Sequence, residues 1–99
     1  MFENTTTHLQ LLTVRLHIPH AQSLKEKRMV IKSLKERMRH KFNVTVAEIG
    51  QQDKWQVATL GIAMVGNDNR RIHASLQNVI TFMERFGLCE ICETDIEEL

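Results

Sequence analysis

The stretch LTVRLHIPHAQSLKE, residues 12–26, changes its hydrophobic period midway, and the rest of the fold follows from that change. Leu12, Val14, Leu16 and Ile18 alternate with Thr13, Arg15 and His17. A period of two belongs to a half-buried strand. Pro19 ends it, because proline has no amide to donate to a sheet ladder. Ser23 followed by Glu26 is a capping box, which places a helix start at Leu24. Leu24, Ile31, Leu34 and Met38, with Val30 at the margin, then recur at helical spacing.

Outward from this strand and helix, the same two periods alternate. Asn43 interrupts the helix, and Val44–Ala47 begin a second strand. GQQDK, residues 50–54, is a polar turn. Trp55–Val65 reads as a third strand, with Ala58, Leu60, Ile62 and Met64 on one face. In GNDN, residues 66–69, Asp68 is placed to cap a second helix. Ile72, Leu76, Val79, Ile80, Met83 and Phe86 form the apolar stripe of that helix, and Gly87 stands where a helix-ending glycine belongs. Alternation returns from Leu88 to Glu97 as a fourth strand. The order βαββαβ predicts an α+β, ferredoxin-like sandwich: a four-stranded antiparallel sheet of order 4-1-3-2 with both helices on one face. Residues 9–99 are expected to form this single domain. The polar start MFENTTTH, residues 1–8, is expected to be a disordered extension.

Composition narrows the class. The chain has 99 residues, 42% of them hydrophobic and 25% charged, as in an ordinary globular domain. No apolar run approaches the ~20 residues of a membrane span, so no membrane partner is expected. Nothing reads as an export signal, so the expected compartment is the cytoplasm, where Cys89 and Cys92 stay reduced. The formal charge of +1 hides an asymmetry. Residues 1–50 carry nine Lys/Arg against four acids, while residues 51–99 carry four against eight. Eight of the thirteen cations lie within residues 23–41 alone. Such a layout points to a basic contact surface.

Several motifs carry a family resemblance. LHIPHAQSLKEKRMVIKSLKERMRHKFNVTVAEIG, residues 16–50, followed by QDKWQVATLGIAMVGND, residues 52–68, resembles the YlxP-like family of small bacterial proteins of unknown function. The specific pieces are HIP at 17–19, SLKEKR at 23–28, FNV at 42–44, VAE at 46–48 and QD-x-WQ at 52–56. The similarity runs over about residues 9–98, leaving the first eight as an addition. It implies a ferredoxin-like fold and a bacterial cytosolic source, and it implies no activity. Genes of that family sit beside genes for transcription elongation and ribosome maturation factors in some bacteria, which implies an RNA or ribosome partner.

The residues supply three candidate sites. At about 100° per residue, Lys25, Arg28, Lys32, Lys35 and Arg39 fall in a stripe roughly 80° wide that flanks the apolar face of the first helix. Glu26 and Glu36 lie outside it. A solvated helix usually interleaves signs at i,i+4; cations on one side suit a phosphate backbone instead. The competing reading is a solvated face whose long stems cover the apolar flank. Lys25, Lys27, Arg70 and Arg71 are the second candidate, an anion site expected because both helices of this fold are taken to begin at the same end of the sheet; local pairing with Glu26 and Asp68 is the favoured competing reading. The third is the open sheet face, where Ile49, Trp55, Val57 and Ala63 are expected to form a homodimer interface. The acidic fourth strand and basic first helix lie toward opposite sheet edges, so charge attraction between copies would help. That face offers no aromatic at the centre of the third strand, which argues against the base stacking of RNA-recognition motifs.

The remaining chemistry is sparse. In CEIC, residues 89–92, two thiols three residues apart on a strand point to opposite faces, so one metal cannot easily take both. His8, His17, His20, His40 and His73 show no zinc spacing. Neither metal nor organic cofactor is expected. Acylphosphatase shares this architecture and cradles phosphate with a glycine-rich loop and an arginine after its first strand. The corresponding residues 17–23 here read HIPHAQS, and no nucleophile–base–acid set stands out, so catalysis is not expected. Glu48, on an apolar strand, is expected to pair with Arg15 or Lys27.

Overall fold

A computed structural model describes residues 2–99. Six elements follow one another: β1 (His8–His17), α1 (Leu24–Lys41), β2 (Thr45–Gly50), β3 (Val57–Gly66), α2 (Asn69–Glu84) and β4 (Glu90–Glu98). The strands form one antiparallel sheet in the order β2-β3-β1-β4. This is the ferredoxin-like order 4-1-3-2 read from the other edge.

Both helix starts are built as their sequences dictate. Ser23 Oγ accepts the Glu26 amide at 3.1 Å. Glu26 reaches back one residue further than a standard capping box and accepts the Gln22 amide. Asp68 Oδ1 accepts the amides of Arg70 and Arg71 at 2.9 and 3.3 Å. After α2, Gly87 takes φ +91°, a left-handed conformation that a side chain resists.

The core lies between the helices and one sheet face. Leu12, Val14 and Leu16 of β1 and Ala58, Leu60 and Ile62 of β3 are fully buried under Leu34 and Met38 of α1 and Leu76, Val79 and Met83 of α2. β1 begins at His8, paired with Gly66, earlier than its apolar alternation indicates and one residue ahead of the expected domain boundary. The reason is Gln10. It occupies a core-facing position, fully buried, and its Nε2 donates to both the carbonyl and the side-chain oxygen of Asn69 at 3.0 and 3.1 Å. A polar side chain thus ties β1 to the first residue of α2. β3 begins at Val57, so Trp55 belongs to the preceding turn rather than to a strand.

The two sheet edges are guarded differently. Unpaired edge groups are templates for further strands. β2 is only six residues long, with a register shift between Glu48 and Gly50, and Arg39 Nη2 donates to the Val46 carbonyl at 2.9 Å. β4 carries Glu93, Asp95 and Glu97 opposite Arg15, Thr13 and Leu11 of β1. Glu93 takes an exposed ion pair from Arg15 at 2.8 Å.

Candidate nucleic-acid interface

The basic stripe of α1 opens on the β2 edge. Arg28, Lys32, Lys35 and Arg39 line a groove of about 240 Å³ whose other walls are Ile31, Glu36 and Glu48. Four of the five expected cations therefore share one concave surface; Lys25 is exposed outside it. Among the described residues none of the four forms a salt bridge. Arg39 spends one donor on Val46 and keeps the rest of its guanidinium at the groove.

Lys27 lies beneath the groove. Its side chain is 1% exposed, and its Nζ donates to the Gln51 carbonyl at 2.6 Å while standing 2.8 Å from Glu48 Oε2. The carbonyl takes the directed hydrogen bond; Glu48 Oε2, shielded from water, is held by charge alone. Of the two partners expected for Glu48, the structure selects Lys27, and Arg15 goes to Glu93. The pairing matters for the surface above. It neutralises Glu48, one of the two carboxylates lining the groove, so the four cations outnumber the remaining acid, Glu36.

The structure does not bring Lys25, Lys27, Arg70 and Arg71 together as an anion site. α1 follows the His17 end of β1, which pairs with Val57; α2 follows the Gly66 end of β3, which pairs with His8. Neighbouring antiparallel strands end at opposite rims, so the helices that follow them start there too. About 30 Å of a ten-residue strand separates the two starts. Lys27 is moreover buried and already paired.

On the open sheet face Ile49 is 55% exposed and Val57 and Ala63 are half-buried, while Trp55, in the turn before β3, is 54% exposed. Val65 and Leu9 extend the apolar area. Gly61 makes it flat. A Cβ there would lie 3.2 Å from Ile49 Cδ1 and 3.7 Å from Leu11 Cδ1, so the missing side chain lets both lie down against the strand.

Cys89 is buried and its thiol is pushed up to about 11 by desolvation, while Cys92 is exposed. No group of three His, Cys, Asp or Glu is placed to hold a metal ion among the described residues. Among the described residues no helix is long and apolar enough to cross a membrane.

A second set of residues escaped the sequence reading. Arg37 and Lys41, one turn apart, fall on the other flank of α1's apolar face. Phe82 of α2 and Phe86, just past its end, meet them. Arg37 stands 5.3 Å over the Phe86 ring, and Lys41 5.3 Å over Phe82 and 5.7 Å over Phe42. Phe42 and Phe82 meet edge to face at 5.8 Å. The paired i,i+4 spacings were the available signal.

An α+β sandwich with a one-sided basic helix over one sheet edge is the class that fold and surface define. The chain belongs to the family described as protein of unknown function (DUF503), which matches residues 9–96. It is 46% identical over 66 residues to the uncharacterized protein YlxP of Bacillus subtilis (strain 168), covering 67% of this chain and 72% of that one. The resemblance drawn from the motifs therefore holds. Among solved structures, the de novo designed protein Foldit4 superposes with a TM-score of 0.51 over 92% of this chain and 96% of its own. At 14% identity that likeness is one of fold alone.

Proposed function

We propose that this domain is a non-enzymatic RNA-binding module, associated with RNA or ribosomal particles, that holds phosphate backbone along α1. The carrying observation is the convergence of Arg28, Lys32, Lys35 and Arg39, none ion-paired, on one groove. Four phosphate contacts on single-stranded RNA give a slope of log K against log salt of about −3. Anisotropy titrations with a labelled oligoribonucleotide at several salt concentrations measure it. Lys32→Glu with Lys35→Glu should weaken every RNA sequence alike and flatten the slope without unfolding the chain, since Glu and Lys are equally good helix formers. Equal affinity of the folded double variant and the wild type would end this reading.

A second reading, self-association through the open sheet face, is supported by the flat apolar area around Ile49, Leu11 and Val65. A dimer insensitive to salt, with no affinity for RNA, would favour it over the first.

A further inference from the structure

The stripe accounts for phosphates and leaves the other flank of α1 unexplained. There, Glu36, Arg37, His40, Lys41 and Phe82 line an open groove of about 570 Å³ between the C-terminal turns of the two helices. Phe82 gives it an aromatic wall, and Arg37 and Lys41 two cations beside Glu36 and His40. Phe82 is only half-buried, so part of its ring faces the groove. Glu36 lines both this groove and the phosphate groove, which makes the two neighbours across one exposed helix face. A helix with side chains is about 10–12 Å wide, short enough for one flexible strand to cross.

We propose that this groove takes an unstacked base of single-stranded RNA whose phosphates lie on the Lys32–Lys35 side of α1. The ligand must carry negative charge at regular spacing and flat rings between, which is the chemistry of a single strand. The base rests on Phe82. Arg37 and Lys41, which now stand over the Phe rings, move outward to the flanking phosphates, where a cation gains more than over a ring. Aromatics absent from the sheet face are thus supplied by the helix layer.

The inference rests on the RNA reading above, and its test separates the two. The probes are a ten-nucleotide oligouridylate and an abasic ribose-phosphate oligomer of equal length and charge. Wild type should bind the first about tenfold more tightly, the order expected for one stacked base. Phe82→Leu, which keeps apolar bulk against Phe42, should erase that preference and leave abasic binding unchanged; Phe82→Tyr should retain it. Thermal melts confirm that both variants are folded. Equal wild-type binding of both probes, weakened by Lys32→Glu with Lys35→Glu, would overturn the base site and leave the phosphate reading standing. If Phe82→Leu weakens both probes alike, the ring only supports the helices and the inference falls. Binding of neither probe removes both proposals. Tighter Phe82-dependent binding of an acidic tryptophan-containing peptide would assign the groove to a protein ligand and also overturn the inference.

Discussion

At the scale of single residues, Lys27 is the most consequential. Its helical angle, on the apolar side of α1, is legible in the sequence. Its partners are not, because Gln51 and Glu48 reach it only once the register of β2 shifts between Glu48 and Gly50. Removing one member of a buried pair strands the other, at about 3–5 kcal/mol. The Glu48 side chain keeps 18% exposure, so Lys27→Met should cost about 3 kcal/mol, near the lower end of that range. Lys27→Met with Glu48→Leu should recover most of the loss, to within about 1 kcal/mol of wild type in urea unfolding. Gln10 was hidden for a related reason: its polarity breaks the alternation that its position continues. Cys89 supplies a second expectation. Its thiol is raised to about 11 against an unfolded value of 9.0. Stability from the protonated buried thiol is therefore complete below pH 9 and is lost as pH rises toward 11. At pH 8, iodoacetamide should label Cys92 in the folded protein and spare Cys89. Equal labelling of both would show that Cys89 is not shielded.

At the scale of elements, the order βαββαβ and both helix starts were readable because period and capping are local properties. Strand ends were less so, because β1 extends through Gln10 and β3 starts after Trp55. The misplaced anion site had a geometric cause. The antiparallel pairing of β1 and β3 sends the two helix starts to opposite rims, and that pairing lies outside the local periods from which the elements are read. Glu36 shows what one angle conceals. It lies outside the stripe on a helical wheel, yet it borders both grooves. A carboxylate there opposes a polyanion from two sides. Glu36→Lys should tighten RNA binding severalfold and steepen the salt slope by about 0.7, the increment for one contact on a single strand. An unchanged slope would place the bound strand away from the top of α1.

At the scale of the whole molecule, the charge asymmetry of the sequence survives folding: α1 lies along the β2 edge, and the acids of β4 lie along the other. The open face raises a question of size. Three strands about 30 Å long and β2 about 20 Å long, about 4.8 Å apart, give a footprint of roughly 550 Å², below the ~800 Å² per partner of a stable interface. Burial at ~25 cal/mol per Å² still favours contact between apolar faces. A weak, concentration-dependent dimer is the expectation, with Trp55 at its border. Sedimentation velocity over a dilution series should show it, and Ile49→Asp should leave only monomer. A single species at every concentration would assign the exposed Ile49 and Val65 to another partner.

The opposite starts of the helices have a kinetic consequence. Each helix carries about half a positive charge at its first turn and half a negative charge at its last. Run in opposite directions, the two fields largely cancel along the strands, leaving the side chains to shape the far field. What remains is a gradient across the sheet, from carboxylates on β4 to cations on α1. Such a gradient turns a diffusing molecule before contact, so that a polyanion meets α1 first more often than chance allows. Orientation of this kind acts on arrival and not on departure. Glu93→Gln with Glu97→Gln, on the edge away from α1, removes carboxylates that repel a polyanion and frees Arg15 from its ion pair, so the association rate with RNA at low salt should rise in stopped flow while the dissociation rate stays constant.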